Sequence, residues 1–385
     1  MKKILAALVC LALIVSFSMA ATAENVVKIG VYEPASGDSG AGGKQETLGI
    51  QYANAIQPTV EIGGETYAVE LVYADNGSSA DKAPSAAQQL VSEGVSVVLG
   101  SYGSSVSIAG SPYFADAGIP AIGVTCTNPQ VTAGNTHYFR VCFLDPFQGT
   151  VLANYAYKTL GVTNAYCLAE LGNEYDVGLC HYFQEAFEAL GGTVVSETFP
   201  TGTSDFTAYL NTAATLGAEV FFAPVSIAYS TQIISQGNAL AVQYPLMGGD
   251  TWDSNKVVEV AKGTTLKIYV STFYQEGGSP AFDSGIKEWM NANPDMLTNN
   301  GGNDIVAAVS AMGYDAYFVA LEALKAAGTT DSKAVNEAIW GVEYEGVSGL
   351  IKFAEPGDAV RNVAYIKEAN TETGVWDFVT VQSVE

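Results

Sequence analysis

The sequence predicts an α/β protein with two doubly wound lobes, each built on a mostly parallel sheet. Strand-like and helix-like segments alternate along most of the chain, and a second such series begins near residue 147. This alternation is typical of parallel strands joined by crossover helices that cover both faces of a sheet. A length of 385 residues also suits two domains better than one.

The first series consists of apolar runs, each followed by a helical pattern. The strand-like runs are VVKIGVY (26–32), YAVELVYAD (67–75), VSVVLG (95–100) and IPAIGV (119–124). The helical patterns cover 46–56, 82–93 and 106–117. These segments form the expected β-α-β-α core of one lobe.

The second series repeats this order. Its strand-like runs are AYCLAE (165–170), TVVSETF (193–199), AEVFFAPV (218–225) and YPLMGG (244–249). Its helical patterns cover 147–160, 176–190, 206–216 and 229–240. After it come the strand KIYVSTF (267–273), helices near 283–292 and 304–327, and a strand-rich tail with GLIKFA, VAYIKE and VWDFVTV.

The N-terminus has the pattern of a cleavable secretory signal. Two lysines precede an apolar stretch over 4–15, and small residues end at Ala23. We therefore assign 1–23 to a signal peptide and expect the protein in the periplasm. A lipid anchor is not expected, because Cys10 lies inside the apolar stretch and not directly after it.

The composition argues against several partners. The formal net charge is −24, from 40 acidic and 16 basic residues, so the surface repels nucleic acid and anionic lipid. The cysteines beyond the signal have no zinc-binding spacing, and we expect buried thiols or one disulfide among Cys126, Cys142, Cys167 and Cys180. A monomer is expected.

Catalytic signals are weak. The glycine-rich segment GDSGAGGKQ (37–45) has Asp38 and Gln45 where a phosphate-binding loop needs Gly and Ser or Thr, so we interpret it as a mobile loop. Only His137 and His181 are present, and both fit structural positions. No G-x-S-x-G elbow occurs. We expect neither an enzyme nor a bound cofactor or metal.

Small and polar residues follow several predicted strands, at the edge where parallel sheets bind ligands. Ser104 and Ser105 open a helix, so one can cap it while free backbone N–H groups of its first turn face an anion. Plain capping remains the alternative. On neighbouring loops lie Thr125, Thr127, Tyr175, Asp250 and Trp252. Anion donors on one lobe and the Asp250 carboxylate on the other suit a zwitterion, although Asp250 could instead cap a helix near Asp253.

These segments together resemble the periplasmic solute-binding proteins of ABC transporters, specifically the branched-chain amino-acid (Leu/Ile/Val) binding family. The resemblance covers the chain beyond the signal. It is carried by VKIGVYEPASGDSGAGGKQETLGIQYA, SAAQQLVSEGVSVVLGSYGSSVS, GIPAIGVTCTNP, YFRVCFLDPFQG and YPLMGGDTWD. It implies a type I periplasmic binding protein fold, with a small amino acid as ligand and a membrane permease as partner.

The resemblance also implies residue roles. Ser104 and Thr127 match residues that hold the ligand carboxylate, with Tyr102 just before Ser104, and Thr125 matches a residue whose carbonyl accepts from the ammonium. Tyr175 matches an aromatic residue of the cleft. Asp250 matches the acid that binds the ammonium, where the type members carry Glu.

Two departures affect the side-chain pocket. The aromatic residue that relatives carry in the glycine loop is missing near Gly42, and the second-lobe aromatic residue expected in APVSIAY falls near Val225 or Ser226. Trp252 or Tyr102 can fill the space instead. Leu/Ile/Val preference is thus less supported than recognition of the amino-acid backbone.

The family fold implies three crossings between lobes. The first lobe would contain 24–145 and 273–346, and the second 146–272 and 347–385.

Two other hypotheses remain open. In the first, the same fold binds an amide, urea or aromatic acid, or serves as a sensor. In the second, the protein is an enzyme, which would consume the ligand that a receptor returns intact.

Overall fold

The computed structural model describes residues 25–383, so the predicted signal peptide lies outside the described residues. In chain order the strands are β1 (Asn25–Glu33), β2 (Thr59–Ile62), β3 (Glu65–Asp75), β4 (Val97–Leu99), β5 (Ala121–Gly123), β6 (Tyr138–Arg140), β7 (Asn164–Glu170), β8 (Thr193–Phe199), β9 (Val220–Phe222), β10 (Leu246–Gly248), β11 (Ile268–Thr272), β12 (Glu343–Gly346), β13 (Gly349–Ala354), β14 (Asp358–Ala359), β15 (Ala364–Asn370) and β16 (Val375–Gln382).

The α-helices connect and cover these strands. They are α1 (Gly40–Ile56), α2 (Ala83–Glu93), α3 (Ser104–Ala117), α4 (Asp145–Asn154), α5 (Glu174–Ala189), α6 (Thr207–Thr215), α7 (Ile227–Ala239), α8 (Asn255–Ala261), α9 (Pro280–Ala292), α10 (Pro294–Asn299), α11 (Ala308–Ala327) and α12 (Ser332–Ile339). A π-helical turn, Tyr155–Thr159, extends α4. Short 3₁₀ turns cover Pro129–Val131 and Asp250–Trp252.

Two sheets dominate the fold, one in each lobe. The first has nine strands in the order β12-β13-β14-β6-β5-β4-β1-β3-β2, and the second has seven in the order β16-β15-β11-β10-β9-β7-β8. The central pairs of both sheets are parallel, while the C-terminal strands and β2 add antiparallel edges. The predicted α/β class with two parallel-dominated sheets is confirmed.

The sheets divide the C-terminal part of the chain differently from the prediction. The predicted boundary put residues from 347 onward in the second lobe. However, β13 pairs with β12, and β14 pairs with β6 of the first sheet. An ion pair between the buried Arg140 and the partly buried Asp358, at 2.7 Å, attaches β14 there. The last crossing therefore lies between β14 and β15.

The glycine-rich segment is also different from the predicted mobile loop. Residues from Gly40 onward form the start of α1, where close packing excludes side chains. A Cβ atom at Gly43 would lie 2.3 Å from the Pro34 carbonyl oxygen, and one at Gly49 would lie 1.9 Å from the Ser310 carbonyl oxygen. The glycines thus allow close contact between helices and loops.

The longest helix, α11, packs against α1 and is mostly buried. It ends at Gly328, whose φ of 62° is the left-handed conformation that glycine adopts without strain. Within residues 25–383, we find no helix with the length and apolar character that a membrane crossing requires.

Candidate ligand-binding site

A cavity lies between the two lobes, at the carboxyl ends of strands from both sheets. Its volume is about 60 Å³. The structure brings six of the predicted residues to its lining: Tyr102, Ser104, Ser105, Thr125, Tyr175 and Asp250. The first four come from the first lobe and the last two from the second. The position follows the rule that open parallel sheets bind ligands at this edge.

The first-lobe wall includes the N-terminus of α3. Gly103 is the N-cap residue, and no side chain caps the helix. The prediction that Ser104 or Ser105 caps it is therefore wrong, because both hydroxyls are used elsewhere. Ser104 Oγ accepts from the Asn128 backbone N–H at 3.1 Å, and Ser105 Oγ accepts from that of Glu174 at 3.0 Å. The first-turn N–H groups of α3 thus lack a side-chain acceptor, as an anion site requires.

The second-lobe wall carries Asp250. Its Oδ1 atom accepts hydrogen bonds of 2.8 Å from the Tyr175 hydroxyl and from Gln148 Nε2. Burial raises the pKa of Asp250 to about 6, and these two donors oppose the rise. The carboxylate is thus largely ionised at neutral pH. The alternative that Asp250 caps the next helix is wrong, since Ser254 is the N-cap residue of α8 and its hydroxyl accepts from Lys256 N.

The local sequence explains how Tyr175 reaches Asp250. Asn173 is the N-cap residue of α5, and its side chain accepts from the backbone N–H groups of Tyr175 and Asp176. Tyr175 therefore lies in the first turn of α5, and its ring points toward the glycine pair that precedes Asp250. A Cβ atom at Gly249 would be 2.3 Å from the Tyr175 hydroxyl oxygen, so glycine is needed there.

A second group of carboxyls lies behind the first-lobe wall. The Thr125 hydroxyl donates a hydrogen bond to Glu46, and Glu46 lies beside Glu33, whose Oε2 accepts from Tyr102 N at 2.8 Å. Burial raises the pKa of Glu46 to about 8, and burial together with Glu46 raises the pKa of Glu33. Two adjacent buried carboxyls do not both ionise readily, so this pair retains at least one proton at neutral pH.

The two lobes contact each other around the cavity. Asn128 Nδ2 donates to the Glu174 carbonyl oxygen at 2.7 Å, and the Tyr102 hydroxyl donates to the Thr251 carbonyl oxygen at 3.3 Å. The Ser105–Glu174 hydrogen bond also spans the cleft. These contacts enclose the site between the lobes, in the arrangement of a closed two-lobed receptor.

Comparison with known proteins identifies the family. The family model described as "Periplasmic binding protein" matches residues 26–374. This chain belongs to the periplasmic binding protein family. A curated relative, "Leu/Ile/Val-binding protein homolog 3" of Brucella melitensis, is 28% identical over 365 residues, which cover 91% of this chain and 92% of the relative.

Solved structures agree on the fold of this periplasmic binding protein. The crystal structure of a leucine-binding protein from Thermotoga maritima matches with a TM-score of 0.83 and 31% identity, covering 93% of this chain and 99% of that one. An ABC-transporter solute-binding protein from R. palustris, in complex with benzoate, has a TM-score of 0.79 and 22% identity, with 93% and 97% coverage. The predicted type I fold is therefore confirmed, and the protein is a solute-binding protein of the ABC-transporter type.

Two predicted residues do not line the cavity of this binding protein. Trp252 is fully buried in the second-lobe core, where its ring packs on β10 so closely that a Cβ atom at Gly248 would be 2.2 Å away. It therefore does not fill the ligand pocket. Thr127 is also fully buried, and its carbonyl oxygen accepts from the Asp145 backbone N–H at 3.0 Å.

The sequence did not identify several residues at the site. The cavity is also lined by Pro34, Ser39, Ser78, Asn173, Asp176, Ser226 and Thr251. Ser226 and Thr251 lie on loops already marked as strand ends, and Asn173 had the signal of a helix cap. Nothing local distinguishes Ser39 or Ser78, because only the approach of two loops brings them to the cleft.

The thiols of this binding protein are structural. Cys126, Cys142, Cys167 and Cys180 are all free and buried. Burial raises the pKa of Cys126 to about 11 and keeps the thiol protonated. In the part of the chain that the structure describes, no three His, Cys, Asp or Glu side chains group into a metal site.

Proposed function

We propose that this protein is the extracytoplasmic substrate-binding component of an ABC amino-acid importer, and that it delivers an amino acid from its cleft to a membrane permease. The observation that carries the proposal is the ionised Asp250, which lies in the cavity opposite the uncapped N-terminus of α3. The two features are complementary to an α-ammonium and an α-carboxylate.

The charges in the cleft support a ligand that contains a cation. Among the fifteen described lining residues, none is Lys or Arg. Burial raises the pKa of the other lining carboxyl, Asp176, well above its usual value. A simple anion such as an aromatic carboxylate would therefore leave Asp250 without a counter-charge. A buried carboxylate without a counter-charge is energetically costly, which favours an amino acid over the aromatic acids bound by some proteins of the same fold.

The names of relatives agree with this ligand class. The Brucella melitensis relative is named for leucine, isoleucine and valine, and the Thermotoga maritima structure for leucine. These names support an amino acid as ligand, and they leave the identity of its side chain to the pocket of this chain. A cleft ligand that is captured and released intact also fits the absence of catalytic motifs in the sequence.

The proposal is tested by replacing Asp250. A thermal-shift screen of the dialysed protein against the twenty amino acids first identifies the preferred ligand, since binding to the folded state raises Tm. Asp250→Ala should then weaken binding by about 3–5 kcal/mol, because the bound ammonium loses its buried partner. Asp250→Asn should be nearly as weak, since an amide cannot neutralise the charge.

The matched control is Asp116→Ala, which removes an exposed carboxylate from α3 without touching the cavity. It should bind like the wild type in calorimetry. Near-wild-type affinity in Asp250→Ala would contradict the proposal, and so would a screen in which no amino acid shifts Tm.

A further inference from the structure

Tyr102 occupies the space in the cleft between α1 and the second lobe. Its ring lies against Gly42 in the first turn of α1, where a Cβ atom would be 2.5 Å from two ring carbons of Tyr102. Its hydroxyl reaches Thr251 on the opposite lobe, as described above. The ring thus spans the space from α1 to the second lobe, and only 5% of the residue is exposed.

The position of this ring is fixed from several sides. The Tyr102 backbone N–H is bound by Glu33, and the ring packs with Ala307 and Val309 at the beginning of α11. A ligand group that entered this space would have to displace the ring from Gly42 and break its hydrogen bond to Thr251. The Tyr102 side chain therefore forms a fixed wall of the cavity.

The remaining space is small. A cavity of about 150 Å³ is known to accommodate benzene, and the volume here is less than half of that. Seven of the fifteen lining residues are serines or threonines, and the aliphatic ones are Pro34 and Val106. A branched aliphatic side chain would not find the volume that pockets for such groups have.

We propose that Tyr102 restricts this protein to amino acids whose side chain has at most one carbon, with or without a hydroxyl group: glycine, alanine and serine. This inference rests on the proposed function, because it assumes that the cleft binds an amino acid. Leucine adds three carbons to alanine, and the cavity has no room for them unless the Tyr102 ring moves. Serine fits because the lining hydroxyls can pair with its own.

The test is titration calorimetry with glycine, L-alanine, L-serine and L-leucine on three proteins: the wild type, Tyr102→Ala and Tyr73→Ala. The wild type should bind a small amino acid at least 100-fold more tightly than leucine, given what each methylene contributes to discrimination. Tyr102→Ala should bind leucine at least tenfold better than the wild type does. Tyr73→Ala, which removes an exposed tyrosine on β3, should match the wild type.

The outcomes separate the two proposals. If the wild type binds leucine as tightly as alanine, the size restriction is overturned and the proposed amino-acid function stands. If no amino acid binds the wild type or Tyr102→Ala, the proposed function fails, and the restriction fails with it. Should circular dichroism show that Tyr102→Ala is unfolded, Tyr102→Leu keeps the packing on Ala307 and Val309 and takes its place. If a folded variant gains no leucine binding, the proposed role of Tyr102 is overturned.

Discussion

Asp250 illustrates how single residues set the charge of the site. Burial raises its pKa, and the Tyr175 and Gln148 donors limit the rise, so the group titrates near pH 6. The neighbouring buried carboxyls Glu46 and Asp145 have pKa values raised by burial to about 8. At neutral pH Asp250 is thus the group among these three that is mainly charged, which matches one ligand ammonium.

This ordering of pKa values predicts a pH dependence of binding. The ammonium needs the ionised carboxylate, so protonation of Asp250 competes with the ligand as the pH falls below about 6. We expect affinity to be nearly constant from pH 7.5 to 6.5 and to fall about tenfold per pH unit below 6, because one proton is then released on binding. Calorimetry in buffers of different ionisation enthalpy measures both the affinity and the number of protons released on binding.

Asp116→Ala provides the control and should keep the wild-type profile. Glu46 and Asp145 are already protonated at pH 6, so they contribute little to this change. An affinity that stays the same down to pH 5 would mean that the bound ammonium does not depend on Asp250.

At the scale of elements, the packing of α1 against α11 supports the first-lobe wall. The helices meet at Gly49 and Gly313, where added Cβ atoms would lie 1.9 Å and 2.3 Å from backbone oxygens of the opposite helix. The Ser310 hydroxyl also donates to the Gln45 carbonyl oxygen at 2.6 Å. Because α1 carries both Gly42 and Glu46, this contact holds the pocket wall in place.

Gly49→Ala should therefore destabilise the protein, although alanine is the better helix former. The methyl group would overlap the Ser310 carbonyl, and overpacking of this kind typically costs about 1–3 kcal/mol. Urea denaturation should show a lower midpoint. Gly341→Ala is the matched control, because its Cβ atom would lie 3.6 Å from the nearest oxygen. Equal midpoints for wild type and Gly49→Ala would show that the helices can separate at no cost.

At the scale of the whole molecule, the lobes are joined by three crossings and contact each other through hydrogen bonds around the cavity. Such contacts are few compared with the cores of the lobes, so the lobes can separate without unfolding. We expect an open form without ligand and a closed form with it. Solution scattering should show a smaller radius of gyration when the preferred amino acid is added, and no change would argue against hinge closure.

The buried carboxyls also predict how stability depends on pH. The pKa values of Glu33, Glu46 and Asp145 are raised in the folded state, so the folded protein binds more protons than the unfolded chain. For Glu46 and Asp145 the stabilising contribution is complete below the unfolded pKa near 4 and is lost as the pH rises through the folded pKa of about 8. Repulsion within a chain of net charge −24 acts in the same direction.

The Tm of the ligand-free protein should therefore fall by several degrees between pH 5.5 and pH 8. Glu46→Gln, which resembles the protonated acid, should reduce this slope, whereas Glu70→Gln on the exposed face of β3 should not. A Tm that rises over this range would show that the carboxyls are ionised in the folded protein.

The sequence by itself determined the α/β class, the two lobes and the loops that line the cavity. These features depend on short-range hydrophobic periodicity and on the small and polar residues that follow the strands. Both signals are visible in a short segment of the sequence. Ser104, Tyr175 and Asp250 were identifiable because each lies in the connection or the first helical turn after a strand, at the edge where parallel sheets bind ligands. The same reasoning also predicted Trp252 as a ligand-binding residue. Trp252 lies on such a loop, but its side chain packs in the core.

Only the tertiary structure decided which side chains fill the space between those loops. Tyr102 became a cavity wall because Gly42, far away in sequence, leaves room for its ring, and no local pattern encodes that pairing. The helical start of the glycine-rich segment depends likewise on close packing against Pro34 and Tyr102. The place of β13 depends on pairing with β12 and β14, and that of β14 on pairing with β6. Contacts between segments distant in sequence decide such details, since packing depends on shape and volume in three dimensions.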